Sequence, residues 1–354
     1  MIIIGAGFTG MWTGIYLKQK FPSKKILIVE RGVTPAGASA RNAGFACFGS
    51  PTEILSDIAM MGKEQALQLL SMRFEGLRTI QKVFANGAVD FTICKGYELL
   101  DNGQGLDQLP MLNAWLQELT GSPVTFYQQD EQLPAFGFAN MAHLVENRFE
   151  GSLHPGKLLN ALHQLCVKMG IRFLFSTEVR NIEEHPSCVK LVTTNGPHLV
   201  TGRLVHCTNA FSNRLLPKMD LVPARGQVLL TEPIKGLKFR GTFHYQEGYY
   251  YFRNLDDRIL LGGARNTSFQ TEYTLDPFTT LPVQQALETF LSTVILPGQH
   301  PVITHRWAGI MAMGKEKMPV IKQLSDRSFC ALRMSGMGVA LAPTVGRKTA
   351  EMMQ

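Results

Sequence analysis

The sequence has no Cys-x-x-Cys pair. Its six cysteines, Cys47, Cys94, Cys166, Cys188, Cys207 and Cys330, are scattered. No His/Cys cluster has zinc-ligand spacing, and the cysteines give no disulfide framework. Such thiols fit a reducing compartment, so a cytoplasmic protein is expected. No stretch reaches the ~18 apolar residues that a membrane-spanning helix needs. No basic segment opens the chain, so no secretory signal is read there. Internal repeats, low-complexity tracts and a clear linker are also missing, which points to domains whose segments interleave.

What remains is ordinary globular composition. The chain has 354 residues, 45% of them hydrophobic and 18% charged. That length suggests about two domains and a core large enough to need no staples. The net charge of +7 is compatible with nucleic acid, a membrane surface or an anionic cofactor. The Lys and Arg residues are spread out, and Lys24-Lys25 is the densest cluster. A solvated basic surface is therefore preferred over nucleic-acid binding.

The opening reads as strand, turn and helix. Residues 1–4 form an apolar β-branched run, and residues 8–20 have helical composition. Residues 26–30 read as a second buried strand. The first strand is short for such a unit, so residues ahead of Met1 are expected. Further on, residues 53–86 and 103–120 read as helical, and residues 89–100 as strand and turn. Residues 154–170 form an amphipathic helix and 171–175 a strand. Residues 189–194 and 198–205 suggest a hairpin around Asn195-Gly196. Residues 226–263 are largely β, 281–296 helical, and 328–353 a strand, a Gly-rich turn and a helix.

Gly5-Ala6-Gly7-Phe8-Thr9-Gly10 is a G-x-G-x-x-G between that strand and that helix. Gly5 allows the tight turn, Gly7 lets backbone approach a pyrophosphate, and Gly10 permits close helix packing. Phosphates would then sit at the helix's positive end. Glu30 follows 20 residues after Gly10, the spacing of a carboxylate that accepts from a ribose diol. An acid there disfavours a 2′-phosphate and hence NADP. This pattern leaves FAD and NAD both open.

The next segment, Ser39-Ala40-Arg41-Asn42-Ala43-Gly44-Phe45, resembles the S-x-R-N-x-G of the D-amino-acid oxidase superfamily of flavoproteins. That group includes glycine oxidase, sarcosine oxidase and the γ-glutamylputrescine oxidoreductases. Further likenesses follow in family order. They are Gly151-Ser152-Leu153-His154-Pro155, Cys207-Thr208-Asn209-Ala210, Pro223-Ala224-Arg225-Gly226-Gln227, the β-ribbon at 248–263, Trp307-Ala308-Gly309, and Ser335-Gly336-Met337-Gly338-Val339.

The resemblance implies an α/β (α+β overall) protein. A Rossmann-type FAD-binding domain, with a central parallel sheet and a β-meander, interleaves with a mixed-sheet substrate domain. The expected boundaries are 1–50, 151–212 and 311–354 for the FAD domain, with 51–150 and 213–310 for the substrate cap. The implied cofactor contacts are Gly5, Gly7, Gly10, Glu30 and its neighbour Arg31 for the ADP half, and Ser39, Arg41, Asn42, Gly44 and Phe45 near the pyrophosphate and flavin edge. Val179 would meet the adenine. Thr208, Asn209 and Ala210 would pass beneath the cofactor, and Gly336, Met337, Gly338 and Val339 would direct a helix N-terminus at the flavin. Sarcosine oxidase places its flavin-linking cysteine in a segment that here, at 312–319, has none, so non-covalent FAD is expected.

The resemblance also implies oxidation of a C–N bond in an amine or amino-acid-like substrate by hydride transfer to flavin N5. Amino-acid-oxidising relatives place an Arg after W-x-G-L to clamp the carboxylate. Here Trp307-Ala308-Gly309-Ile310 is followed by Met311. Either the substrate lacks an α-carboxylate, or another cation serves: Arg253, Arg265, Lys315 or Lys317. Tyr250 matches a substrate-side tyrosine. Because Tyr249-Tyr250-Tyr251 alternate on a strand, either Tyr250 or the Tyr249/Tyr251 pair faces the pocket. Two other functions stay open, a flavin-dependent tRNA-modifying enzyme and a non-catalytic electron-transfer partner. The electron acceptor, O2 or a quinone, is not specified.

Overall fold

The computed structural model describes residues 1–194 and 196–354. Two large sheets organise the chain. The first has six strands in the order Val320–Gln323, Ser328–Leu332, Leu204–His206, Ile2–Ile4, Leu27–Val29 and Arg172–Leu174. All neighbours run parallel except the outermost pair, Val320–Gln323 with Ser328–Leu332. Ile3, Ile28 and Val205 are fully buried, as expected for strands covered on both faces. Val179–Glu184, Val189–Thr193 and Leu199–Thr201 add a three-stranded antiparallel meander.

The second sheet is mixed. Its eight strands run in the order Ile303–Met313, Val222–Thr231, Arg258–Gly263, Tyr250–Leu255, Thr242–Tyr245, Gly96–Leu100, His143–Asn147 and Phe126–Gln128. Only Thr242–Tyr245 and Gly96–Leu100 pair in parallel. An aromatic cluster of Tyr97, Phe239, Phe243 and Phe252 fills its outer layer.

Helices Phe8–Lys20, Lys63–Val83 and Gly338–Met352 pack together behind the parallel sheet. The contact is close because Gly346 has no side chain; a Cβ there would lie 2.7 Å from the Thr13 nitrogen. The core joins Trp12, Leu69, Ile80 and Leu341. Segments flanking the parallel strands and segments inserted between them therefore share one core.

The observed elements differ from expectation in places. Residues 198–205 split: Leu199–Thr201 stays in the meander, while Leu204–His206 enters the parallel sheet. The Thr201 hydroxyl donates to the Arg203 carbonyl at 2.9 Å and closes the turn between them. The hairpin centre at Asn195 lies outside the described residues. Within 89–100 only Gly96–Leu100 is strand, since Asp90 and Lys95 take positive φ. The helix at Leu281–Phe290 widens into a π-turn at Leu291–Ile295.

Candidate active site

A long cavity lies where the two sheets meet. The parallel sheet and the turns that follow its strands supply Gly5, Gly7, Glu30, Arg31, Thr208 and Asn209, and the meander supplies Val179; the mixed sheet and its flanks supply Tyr249, Tyr251, Arg265 and Met311. Ser39, Arg41, Asn42, Gly44 and Phe45 line it between them, as do Gly336, Met337, Gly338 and Val339. Two expected contacts do not reach it. Ala210 is buried beneath, and a Cβ on Gly10 would collide with the Gly5 carbonyl, so Gly10 serves packing.

The nucleotide end is shaped for close backbone approach. Gly5 has φ +105°, and a Cβ there would sit 2.6 Å from the Cys207 carbonyl oxygen. A Cβ on Gly7 would sit 2.9 Å from Ser39 Oγ, which accepts from the Phe8 N–H at 3.0 Å. That bond docks the Ser39 loop onto the helix N-terminus. Glu30 is held at both oxygens: Oε2 accepts from the Ala6 N–H and Oε1 from the Gly32 N–H, each at 3.0 Å. Each oxygen keeps a lone pair for a diol hydroxyl. Arg31 rests its guanidinium 3.9 Å from the Phe211 ring. The side-chain-free turn, the helix start and the fixed acid together fit a dinucleotide.

The Ser39–Gly44 loop owes its shape to its own polar groups. Asn42 accepts from the Gly44 N–H at 2.9 Å and donates to the Ser39 carbonyl at 2.9 Å. Arg41 spends Nε on the Ala36 carbonyl and Nη1 on the Ala308 carbonyl. Its guanidinium thus ties its own loop to the mixed sheet as well as facing the cavity.

On the mixed-sheet side the register resolves in favour of the outer tyrosines. Tyr249 and Tyr251 line the cavity. Tyr250 points into the core, its ring 4.8 Å from Phe290. The candidate cations separate as sharply. Arg253 is buried under the flavin-edge loop, with Nη2 3.2 Å from where a Gly44 Cβ would stand, and does not reach the cavity. Lys315 is exposed and outside it. Lys317 lines it but is bound to Asp57 at 2.6 Å and Glu53 at 3.4 Å. Arg265 lines it and, among the described residues, makes no ion pair. Its guanidinium lies 4.9 Å from the Phe269 ring and 5.8 Å from Tyr249.

Several wall groups had no signal in the sequence. Glu53 sits on the cavity and is bound by the fully buried Arg73 at 3.1 Å. Burial alone would raise the Glu53 carboxyl, but the charges of Arg73 and Lys317 outweigh it and hold it down to about 2. Cys47 and His244 also line the cavity. Behind them, Glu150 accepts from the Phe48 and Gly49 N–H groups at 2.8 and 3.1 Å. Glu98 accepts from the Thr52 N–H at 3.0 Å, the Ser50 hydroxyl at 2.8 Å and the Thr52 hydroxyl. These two carboxyls staple the 48–52 backbone in place. Burial pushes Glu150 up to about 8 and Glu98 up to about 7, against those hydrogen bonds.

This fold and cradle define an FAD-dependent oxidoreductase. The family described as FAD dependent oxidoreductase (DAO) matches residues 1–352, and the chain belongs to it. The sequence is 23% identical over 382 residues to the probable oxidoreductase OrdL of Haemophilus influenzae, covering 99% of this chain and 81% of that protein. Its structure is similar to L-proline dehydrogenase from P. horikoshii, with a TM-score of 0.80, 17% identity, and coverage of 100% of this chain and 92% of that one. Glycine oxidase from Geobacillus kaustophilus gives a TM-score of 0.79 at 19% identity, with coverage of 99% and 93%. Among the described residues no helix is long and apolar enough to cross a membrane.

Proposed function

We propose that this enzyme oxidises the C–N bond of a small amino-acid-like amine, the FAD supplying hydride acceptance at N5. Gly5, Gly7 and Glu30 would hold the ADP half, and the helix start at Gly338 would stand at the flavin. The solved relatives of this fold include enzymes named for proline and glycine, which supports a small amino-acid-like substrate.

Arg265 is the observation that carries the substrate reading. Met311 stands where the family's Arg clamp is expected, so a carboxylate-bearing substrate would need its cation elsewhere. Arg253 is enclosed, Lys315 is outside, and Lys317 is neutralised by two acids. Arg265 alone among these four offers an unpaired fork to the cavity, pre-set by two aromatic faces. Tyr249, Tyr251, Phe45 and Met311 supply apolar walls that exclude water and favour the neutral amine.

A product assay tests this reading. FAD-loaded protein incubated with a panel of amino acids, N-methyl amino acids and simple amines should release a carbonyl product and ammonia or methylamine. Members with a carboxylate should turn over faster than their decarboxylated counterparts. Equal rates would leave Arg265 without the role, and no product from any member would remove the reading.

A further inference from the structure

The reactive form of an amine in such a site is neutral, yet most amines arrive protonated at pH 7. A proton must therefore leave, and a base at the cavity is placed to take it. His244 sits on strand Thr242–Tyr245, lines the cavity, and is otherwise buried. Its ring meets Phe45 edge-on at 5.2 Å. The two ring nitrogens look in different directions. Nδ1 lies on the Gly248 side, 3.7 Å from where a Cβ on that cavity-lining glycine would stand. Nε2 is fully enclosed, has no hydrogen-bond partner among the described residues, and stands 3.9 Å from Glu150 Oε2.

We propose that His244 is the proton acceptor for the substrate amine, with Glu150 behind it as the positioning residue that receives the charge. This rests on the amine-oxidising reading above. With Glu150 ionised, the substrate ammonium gives its proton to Nδ1 as the Nε2 proton passes to the Glu150 carboxylate; the imidazole ends neutral. One N–H bond breaks on the substrate and one O–H forms on Glu150, and no electrons change hands.

The surroundings suit that role. A buried polar nitrogen without a partner is costly, so an enclosed Nε2 beside a carboxyl calls for an explanation. The charged and titratable groups around the ring come from every packed element: Glu150 ahead of strand Gly151–Ser152, Glu53 on helix Pro51–Met61, Glu98 on the paired strand, Tyr251 across the hairpin, and Cys47 and Glu247 on the cavity wall. Burial lowers His244 to about 4, with Glu53 opposing, so the ring is neutral at pH 7 and, as a weak base, passes a proton on rather than keeping it. Burial raises Glu150 to about 8. At pH 7 that carboxyl is mostly protonated, so the relay runs through its ionised fraction, which grows as pH rises towards 8. Glu53 is already paired with Arg73 and Lys317, which leaves it a weaker competitor.

Two readouts test the pair. The first needs no turnover. In FAD-loaded protein carrying 15N-labelled histidine, the His244 signals are those missing from His244→Asn. They should show a neutral ring at pH ~6, and their titration should move in Glu150→Gln, which keeps the acceptor for the Phe48 and Gly49 N–H groups. The second uses whichever amine in the panel reduces the flavin. In wild type the reduction rate should outrun the free-base fraction of that amine below its pKa. In His244→Asn it should follow the free base alone and fall by about 10²-fold at pH 7. Glu150→Gln should fall less and shift the profile. A His244→Asn profile superimposable on wild type, or a His244 signal unmoved in Glu150→Gln, would overturn the proposal. Wild type that takes up FAD but is reduced by no amine removes the amine-oxidising reading itself, which is a separate result.

Discussion

The Trp307 indole Nε1 donates to the Arg41 carbonyl oxygen at 2.9 Å. Arg41 Nη1 in turn donates to the Ala308 carbonyl at 3.1 Å. This reciprocal pair ties the loop at the flavin edge to the edge strand Ile303–Met313 of the mixed sheet, so the cofactor cradle is held by residues far apart in sequence. Trp307→Phe keeps the ring and removes the first bond. Losing a hydrogen bond of this kind costs about 1 kcal/mol, so FAD affinity should weaken roughly fivefold with little change in Tm. Fluorescence titration of apoprotein with FAD measures it.

Two glycines of the same motif should fail differently. Gly7→Ala places a methyl 2.9 Å from Ser39 Oγ, at the mouth of the cavity. It should fold and lose FAD affinity by about tenfold or more. Gly10→Ala drives a methyl into the Gly5 carbonyl and should lower expression and Tm before cofactor binding is at issue. Thermal melts with and without FAD separate the two outcomes.

Arg73→Met leaves Glu53 and Asp57 with Lys317 as their only ion-pair partner among the described residues. Breaking a buried ion cluster from one side costs about 3–5 kcal/mol. The pH dependence has a definite sign. Glu53 is lowered to about 2 in the folded state, so its contribution is complete above the ordinary carboxylate value and is lost as pH falls towards 2. The stability gap between wild type and Arg73→Met should therefore narrow below about pH 4.5. Denaturant unfolding across that range checks it.

Glu98 predicts the opposite slope. Its folded carboxyl is raised to about 7, so the native state holds a proton that the unfolded chain has released. Stability from this group is present below about pH 4.3 and drains away as pH rises to about 7. Glu98→Gln keeps an acceptor for the Thr52 N–H and should flatten that loss. The variant should match wild type at low pH and exceed it at pH ~8.

Arg265→Met should leave FAD binding intact and abolish preference for carboxylate-bearing substrates. A charged hydrogen bond contributes about 1.5–3 kcal/mol, which sets a loss of about 10- to 100-fold in kcat/KM. Simple amines should be nearly unaffected. Steady-state rates on matched amino acid and amine pairs decide it.

The nucleotide half of the site was legible because its signal is local. Strand, glycines, helix and Glu30 lie within thirty residues, and each step follows from backbone geometry. The phase of Tyr249-Tyr250-Tyr251 was not, because a two-residue period says which residues share a face but not which face is inside. Phe290, forty residues away, decides it by packing on Tyr250. The cations were ambiguous for a related reason: only tertiary structure encloses Arg253 and neutralises Lys317. Glu53, Glu98, Glu150 and His244 passed unnoticed because a buried charged group carries no sequence mark until its partners are known. The Pro223-x-Arg225-Gly226-Gln227 segment lies within strand Val222–Thr231 and gains a physical reason from the structure. Arg225 pairs with Glu272 at 2.7 Å, and Gln227 donates to Thr280 Oγ1 at 2.7 Å, anchoring the segment that follows Arg265.

The most direct test of the account is an anaerobic absorbance titration of the FAD-loaded protein with amines, amino acids and N-methyl amino acids. The account predicts that the protein retains FAD and that at least one carboxylate-bearing amine bleaches the flavin bands stoichiometrically. A protein that takes up no FAD, or one whose bound flavin no amine reduces, would contradict it.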